Sequence, residues 1–506
     1  MRRCIMDNLW NLLERNARNF LDAVAVRFPA EGRNLSWLDL RDHALSLANQ
    51  LTSLGVSKSE RIGVLFPNCP EFIIAFYATA YIGAVVVPIN GRLTVPEINY
   101  ILEDSGARAL LFAEDRRETA EIAAQGTQVT VFLSNTEFAK DITGQSMSLE
   151  YCASGYGEAS EMAEILYTSG TTGRPKGVML SHYSVISVAQ MMAYEAQIYS
   201  GDNALVLMPL THSAPLNLFM VGAFWAGASV TLGEFTPQTL LELAAGERTT
   251  HFFGAPVAYQ FMLRVPNLSD YDLTSMKCWI YGGAPVGREQ ILAWQKAIPG
   301  KFMSVYGLTE AGPNGMALRP WEHDKKAGSI GNRGAINSEV KLLSDTGQEV
   351  GNGEIGEIAL KVPSLMLGYH NNPIATEQTL LDGWLLTGDI GKKDEDGYIW
   401  FLDRKKDMII SGGVNIYPKE IEDLLLTHPN IMDAAVIGLP HLDWGETVTA
   451  VIVVAPGCDP IDASALQAFC SASLADYKIP KLDKVVPALP RNSSGKIQKF
   501  ALRTLE

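Results

Sequence analysis

Short apolar runs that alternate with helix-like segments constrain this chain more than any other feature. RIGVLF (61–66), AVVVPI (84–89), ARALLFA (107–113) and TVFLS (130–134) are separated by segments such as EFIIAFYATAYI (71–82) and VPEINYILEDSG (95–106). A strand that is apolar on both faces has to be covered on both faces, and a parallel sheet between two layers of helices does this. The alternation therefore predicts βαβ units and an α/β fold of mainly parallel sheets flanked by helices. Phe72 to Ile89 runs 18 residues without a charge, the lower limit for a membrane span. Gly83 stands where a helix would need its C-terminal cap, and the β-branched stretch after it ends in Pro88, so the run reads as helix, turn and buried strand. Leu216 to Leu232 has the same grammar, with Gly227 before ASVTL.

With 506 residues, 47% of them hydrophobic, the chain exceeds what one compact core holds, so at least two domains are expected. The texture changes at EVKLLSDTGQEVGNGEIGEIALK (339–361), whose short alternating strands and Gly and Asp turns suit a small antiparallel sheet or barrel. From Asp407 onward, IYPKEIEDLLLTHP reads as helix, AAVIGLP and TVTAVIVV as strands, and ASALQAFCSASL as helix, a last domain of about 100 residues. A net charge of -15, from 41 Lys+Arg against 56 Asp+Glu, provides no global field for nucleic acid or anionic lipid. Six cysteines without a C-x-x-C pair indicate neither a disulfide framework nor a zinc site, and a reducing cytoplasm fits. Asp7 interrupts the start before any apolar stretch of signal length, so no export signal and no transmembrane segment are expected.

The strongest chemical signal is YTSGTTGRPKGVMLSH, Tyr167 to His182, directly after the apolar strand AEIL. Glycines let a backbone close around a polyphosphate with N–H groups pointing inward, hydroxyls add donors, and Lys176 adds charge. This is not a Walker loop: Gly173 precedes Lys176 by three and Gly177 follows it.

Further segments follow in order: YGGAP (281–285), VYGLTEAG (305–312), GWLLTGD (383–389), FLDRKKDMIISGG (401–413) and PRNSSGKIQK (490–499). Together they resemble the signatures of the adenylate-forming superfamily, which holds acyl- and aryl-CoA synthetases, firefly-type luciferases and nonribosomal peptide synthetase adenylation domains. The likeness covers nearly the whole chain and is closest to fatty-acyl- and aryl-CoA ligases. It implies a large N-terminal domain with a small β-barrel (1–403), a hinge (404–406) pivoting at Lys406, and a small mobile α+β domain (407–506). It also implies a reaction: ATP and a carboxylate give acyl-AMP and pyrophosphate, and the thiol of coenzyme A then displaces AMP.

By the same resemblance, Thr168, Ser169, Gly170, Thr171, Thr172, Gly173 and Lys176 hold the ATP phosphates, and Thr168 and Glu310 hold Mg2+. Thr309 bonds the α-phosphate, and Lys496 bridges carboxylate and phosphate. Tyr306 offers a face to adenine against a wall of Gly283, Ala284 and Pro285, while Asp389, with Arg404 nearby, takes the ribose hydroxyls. His212, in MPLTHSAPLNLFMVGAFW, falls where the family places a gating histidine. That stretch holds no Asp or Glu to pair with a substrate amine, which disfavours an amino acid. Leu216, Phe219, Phe253, Val305, Gly307 and Gly312 are the candidate acyl lining, with Gly312 leaving depth.

For CoA, Ser411, Gly412 and Gly413 would border the pantetheine arm, and Trp444 and Lys481 the nucleotide end. Lys478, Lys481, Lys484, Arg491, Lys496, Lys499 and Arg503 concentrate near the end of an acidic chain, as a polyanionic ligand would explain. The expected substrate is an apolar acid, fatty before aromatic or alicyclic. Alternatives are loading of a separate carrier protein and a non-catalytic acyl-binding homologue, against which intact Lys176, Glu310, Asp389, Arg404 and Lys496 speak. Oligomeric state is left open, a homodimer included.

Overall fold

The uncharged run folds as helix, turn and strand: the helix Pro70–Ile82 is buried along nearly its whole length, and Gly83 ends it at φ 74°. The Gly83 amide turns back to the carbonyls of Thr79 and Ala80, and the strand Val85–Pro88 follows. This computed structural model describes residues 8–138, 158–168, 175–459, 461–491 and 497–503. Among them no helix is long and apolar enough to cross a membrane.

The expected parallel pairing is present. Arg61–Leu65 lies between Val85–Pro88 and Ala107–Phe112, and Val131–Ser134 extends the same seven-stranded sheet, every one of these pairs parallel. Met162–Thr168 joins beside Val85–Pro88 and turns back antiparallel into Lys176–Ser181. A second sheet of eight strands carries Asn203–Val206, Ser229–Leu232, His251–Gly254, Cys278–Gly282 and Lys301–Gly307 in parallel, with antiparallel strands at its edges. Helices Leu9–Phe20, Trp37–Ser53, Pro70–Ile82 and His182–Glu195 bury their apolar residues in one core shared with strands of both sheets. Local chemistry sets their starts: Ser36 with Asp39 and Thr94 with Glu97 form capping boxes.

Leu216–Leu232 departs from simple helix-turn-strand grammar. Ala214–Met220 is a π-helix that continues into the α-helix Val221–Trp225, and Gly227, at φ 75°, precedes the strand Ser229–Leu232. Wide turns of this kind are rare and concentrate at functional sites.

By compactness the chain divides into Met1–Val340 with Leu360–Leu385, and Lys341–Ala359 with Leu386–Glu506. The alternating stretch after 338 supplies strands Glu339–Leu343 and Ile355–Lys361 of a five-stranded sheet. In the second unit, helices Pro418–Leu425 and Ala463–Ser471 pack on the long hairpin of Ile431–His441 with Gly445–Val454.

One buried ion pair fastens the helix after the signature hairpin to the residue that follows the edge strand Gly315–Leu318 of the other sheet. Arg319 donates to both oxygens of Glu195 at 2.9 and 2.6 Å, and Ile336 N–H donates to the same carboxylate at 2.9 Å. The two side chains are 5% and 2% exposed. Removing one partner strands a buried charge, so Arg319→Leu should cost about 3–5 kcal/mol in urea titration, and adding Glu195→Leu should recover much of that loss.

Candidate active site

Two strand ends and one connecting segment make the candidate site of the first unit. Thr168 and Lys176 face each other where the signature hairpin opens. Ser169, Gly170, Thr171, Thr172 and Gly173 lie outside the described residues. In the other sheet, Lys301–Gly307 carries Tyr306 one residue before its end and is followed by a single 3-10 turn, Thr309–Ala311. Gly282 is registered with Val305, so Gly283, Ala284 and Pro285 leave their strand beside the end that carries Tyr306. Gly283 takes φ +81° in that exit turn, and all three are exposed.

Segment 364–370 ties these ends together. Ser364 Oγ donates to the Ala311 carbonyl at 2.6 Å, and Met366 N–H to the Glu310 carbonyl at 2.9 Å. Gly368–Tyr369 then pairs antiparallel with Val178 and Met179 of the signature hairpin. The Tyr369 hydroxyl donates to Glu310 Oε1 at 2.8 Å, and the Lys176 ammonium sits 4.8 Å from the centre of the Tyr369 ring. Glu310 and Lys176 therefore converge on one aromatic residue that sequence reasoning missed. Its strand has only two residues, too short to show a period.

The acyl candidates also gather. Leu216, Phe219, Phe253 and Val305 are all buried in the main apolar core, where the Phe219 and Phe253 ring centroids lie 6.2 Å apart. Ser213, beside His212 at the start of the π-helical segment, has its Oγ 2.9 Å from Thr309 Oγ1. The reason given for Gly312 is corrected: at φ +75°, a Cβ there would lie 2.5 Å from the Ser364 carbonyl oxygen, so backbone fills the space that was read as pocket depth. Gly307 likewise admits the Asn314 carbonyl, 2.6 Å from where its Cβ would be.

In the second unit, Asp389 and Arg404 face each other on antiparallel strands, 3.2 Å apart, with Asp389 buried. Lys406 lies in the turn that follows Arg404. Ser411 ends a short strand, and Gly412 and Gly413, at φ 58° and 80°, form the hairpin turn after it. The Gly412 amide donates to the Trp444 carbonyl at 2.9 Å, and the Trp444 ring packs on Gly412. Lys481 is exposed opposite Thr449, along the strand that begins beside Ser411. Lys496 lies outside the described residues; Arg491 and Ile497 form a bridge on either side of that segment.

The basic cluster needs revision. Lys499 is largely buried and holds Glu422 at 2.8 Å and Asp403 at 4.0 Å. Lys478 pairs with Glu420, and Arg491 with Asp433. Lys499 is engaged inside the fold, so a polyanion does not account for it, whereas the Lys478 and Arg491 pairs lie at the surface. Burial pushes the Asp403 carboxyl up to about 6, opposed by Lys499 and helped by Glu422. The Lys499 ammonium, which burial would lower, is held above its ordinary value by Glu422 and Asp403. Glu422 also accepts from Val436 N–H at 2.8 Å, and Asp403 from Lys419 N–H at 2.9 Å, so the cluster joins the strand before Lys406 to the helix after it.

Comparison with known proteins gives this geometry its class. The AMP-binding enzyme family matches residues 13–370, and the AMP-binding enzyme C-terminal domain matches residues 420–496. The feruloyl-CoA synthase of Amycolatopsis sp is 37% identical over 492 residues, 97% of each chain. The long-chain-fatty-acid–CoA ligase FadD13 of Mycobacterium tuberculosis is 34% identical over 98% of each chain. The crystal structure of the anthranilate CoA ligase AuaEII with anthranoyl-AMP superposes with a TM-score of 0.90 at 28% identity, covering 98% of this chain and 96% of that one. The chain belongs to the AMP-binding enzyme family. It is an AMP-forming acid–CoA ligase that uses ATP and works through an adenylate.

Lys499 provides the sharpest structural check on the second unit. Lys499→Met leaves two buried carboxyl groups without their counter-charge and should cost about 3–5 kcal/mol by denaturant titration.

Proposed function

We propose that this ligase activates an apolar carboxylic acid, a fatty acid before an aromatic or alicyclic one, and transfers the acyl group to coenzyme A. The observation that carries the reading is that Leu216, Phe219, Phe253 and Val305 are buried in the apolar core, with no Asp or Glu between Met208 and Trp225. An ammonium placed against it would lose its hydration, and the carboxyl that meets this segment, Glu164, is buried against Asn217. The names of the relatives support the breadth: feruloyl, an aromatic acid, in one and long-chain fatty acids in another.

In the first step a carboxylate oxygen bonds to the α-phosphorus of ATP and pyrophosphate leaves. Both reactants are anions, so donors and positive charge must already face the oxygens where charge builds. Lys176 and Lys496 supply charge, and Thr309 supplies a hydroxyl that Ser213 orients from 2.9 Å away. Tyr369 occupies one oxygen of Glu310; the other oxygen and the Thr168 hydroxyl would hold Mg2+ together with the substrate phosphates. When bound, the metal neutralises phosphate charge. Tyr306 stacks with adenine against Gly283, Ala284 and Pro285, Asp389 accepts from the ribose hydroxyls with Arg404 beside it, and His212 closes the carboxylate end of the acyl pocket.

In the second step the CoA sulfur attacks the acyl carbonyl and AMP leaves. Gly412 and Gly413 let the pantetheine arm pass close to backbone, with Trp444 and Lys481 toward the nucleotide end. Lys496 and the Ser411–Gly413 turn are about 85 residues apart in the same domain and serve different steps. The domain therefore turns between them about Lys406, in a polar turn able to absorb the backbone change.

Two outcomes follow. In ATP–pyrophosphate exchange, the best acid from a panel of acetate to palmitate, benzoate and cyclohexanecarboxylate should exceed alanine and phenylalanine by at least about 100-fold. Equal rates would refute the apolar pocket. In separated half-reactions, Lys496→Ala should nearly abolish acyl-AMP formation yet convert supplied acyl-AMP and CoA to thioester, whereas Lys406→Pro should make acyl-AMP and transfer it poorly. Equal loss of both steps in both variants would refute the rotation.

A further inference from the structure

Glu164 sits on the strand Met162–Thr168 that leads into the signature loop, and its side chain is 0% exposed. Its strand neighbours there are Val86 and Leu180. The strand Val85–Pro88 and the π-helix Ala214–Met220 carry no charged residue, and the only one on Lys176–Ser181, Lys176, pairs with Thr168 at the far end. Among the described residues, none of these elements brings a cation to this carboxyl. What does meet it is Asn217 of the π-helix, also 0% exposed, whose Nδ2 donates to Glu164 Oε1.

The other two polar atoms decide the chemistry. Glu164 Oε2 and Asn217 Oδ1 are both buried without a partner. Both are acceptors if the carboxyl is ionised, and an ionised carboxylate with a single donor in an apolar interior is costly. A proton on Oε2 removes both faults, because Oε2–H then donates to Oδ1 while Nδ2–H donates to Oε1.

We infer that Glu164 is a neutral carboxylic acid that closes a two-hydrogen-bond ring with the Asn217 carboxamide and thereby positions the π-helical segment against the strand entering the nucleotide loop. Burial agrees, raising this carboxyl to about 8, with the Asn217 bond only partly opposing it. The ring holds Leu216 and Phe219 on either side of Asn217, and Ser213 toward Thr309. Its effect on substrate rests on the acyl-pocket reading above; the state of the proton does not. Between the ordinary carboxyl value of 4.5 and about 8 the folded chain holds one proton more than the unfolded chain. The stability this contributes is complete below 4.5, falls as pH rises through that window, and is flat above about 8.

The test compares wild type with Glu164→Gln and Glu164→Ala in the full-length enzyme. At pH 7, infrared difference spectra of wild type against Glu164→Gln should contain the C=O stretch of a protonated carboxylic acid, shifted in D2O. Glu164→Gln keeps two hydrogen bonds to Asn217 without a titrating proton, so its unfolding midpoint should gain on wild type from pH 5 to 8 and then hold a constant lead. Its KM for the best acid should stay within about twofold, while Glu164→Ala raises that KM roughly 10-fold or more with little change for ATP. Absence of the acid band, or a Glu164→Gln as impaired as Glu164→Ala, would overturn the neutral ring. A band with unchanged acid KM in Glu164→Ala would overturn the positioning role. If Glu164→Ala does not fold, Asn217→Leu takes its place in the KM comparison. Failure of the apolar-pocket reading appears separately, in the acid panel.

Discussion

Backbone packed directly on backbone at the ends of two parallel strands is the constraint on which the candidate site depends. A Cβ at Gly282 would lie 2.5 Å from the Val305 carbonyl oxygen, and one at Gly312 the same distance from that of Ser364. With no side chain between them, the strand end bearing Tyr306, the turn bearing Thr309 and Glu310, and the segment bearing Tyr369 have little freedom to shift. Electrostatic stabilisation of a reaction between two anions requires that fixity, since donors that must first reorient contribute less to the barrier. The glycines here serve close approach, and this is why Gly312 sits beside the site without opening a pocket.

The sequence was most legible where local chemistry decides the structure. The uncharged run Phe72–Ile89 showed its own cap and strand, and the covered apolar strands declared a parallel sheet. The motif order identified the reaction through resemblance. What stayed hidden is non-local. Tyr369 meets Glu310 across 59 positions through a two-residue strand with no periodicity. Nothing in APLNLFM separates a π-turn from an α-turn; the contact that accompanies it, Asn217 with Glu164, spans 53 positions.

Charge was the other blind spot. A count of cations near the end of the chain suggested a polyanion, yet Lys499 is held inside the fold by Glu422, and Lys478 and Arg491 pair at the surface with Glu420 and Asp433. The group of Lys499, Asp403 and Glu422 borders the turn that holds Lys406, so one cation of the apparent ligand surface braces the region proposed to pivot. Lys481, exposed on the sheet that carries the Gly412–Gly413 turn, keeps its place as a candidate for CoA.

Whether the acid passes through an adenylate is read most directly from the fate of its oxygen. The full-length enzyme is supplied with a carboxylic acid labelled with 18O in both carboxyl positions, together with MgATP and CoA, and the products are examined by mass spectrometry. Attack of the carboxylate on the α-phosphorus places one labelled oxygen in AMP, leaves the other in the thioester carbonyl, and keeps pyrophosphate unlabelled. Label in inorganic phosphate or pyrophosphate, or AMP without label, would contradict the acyl-adenylate route.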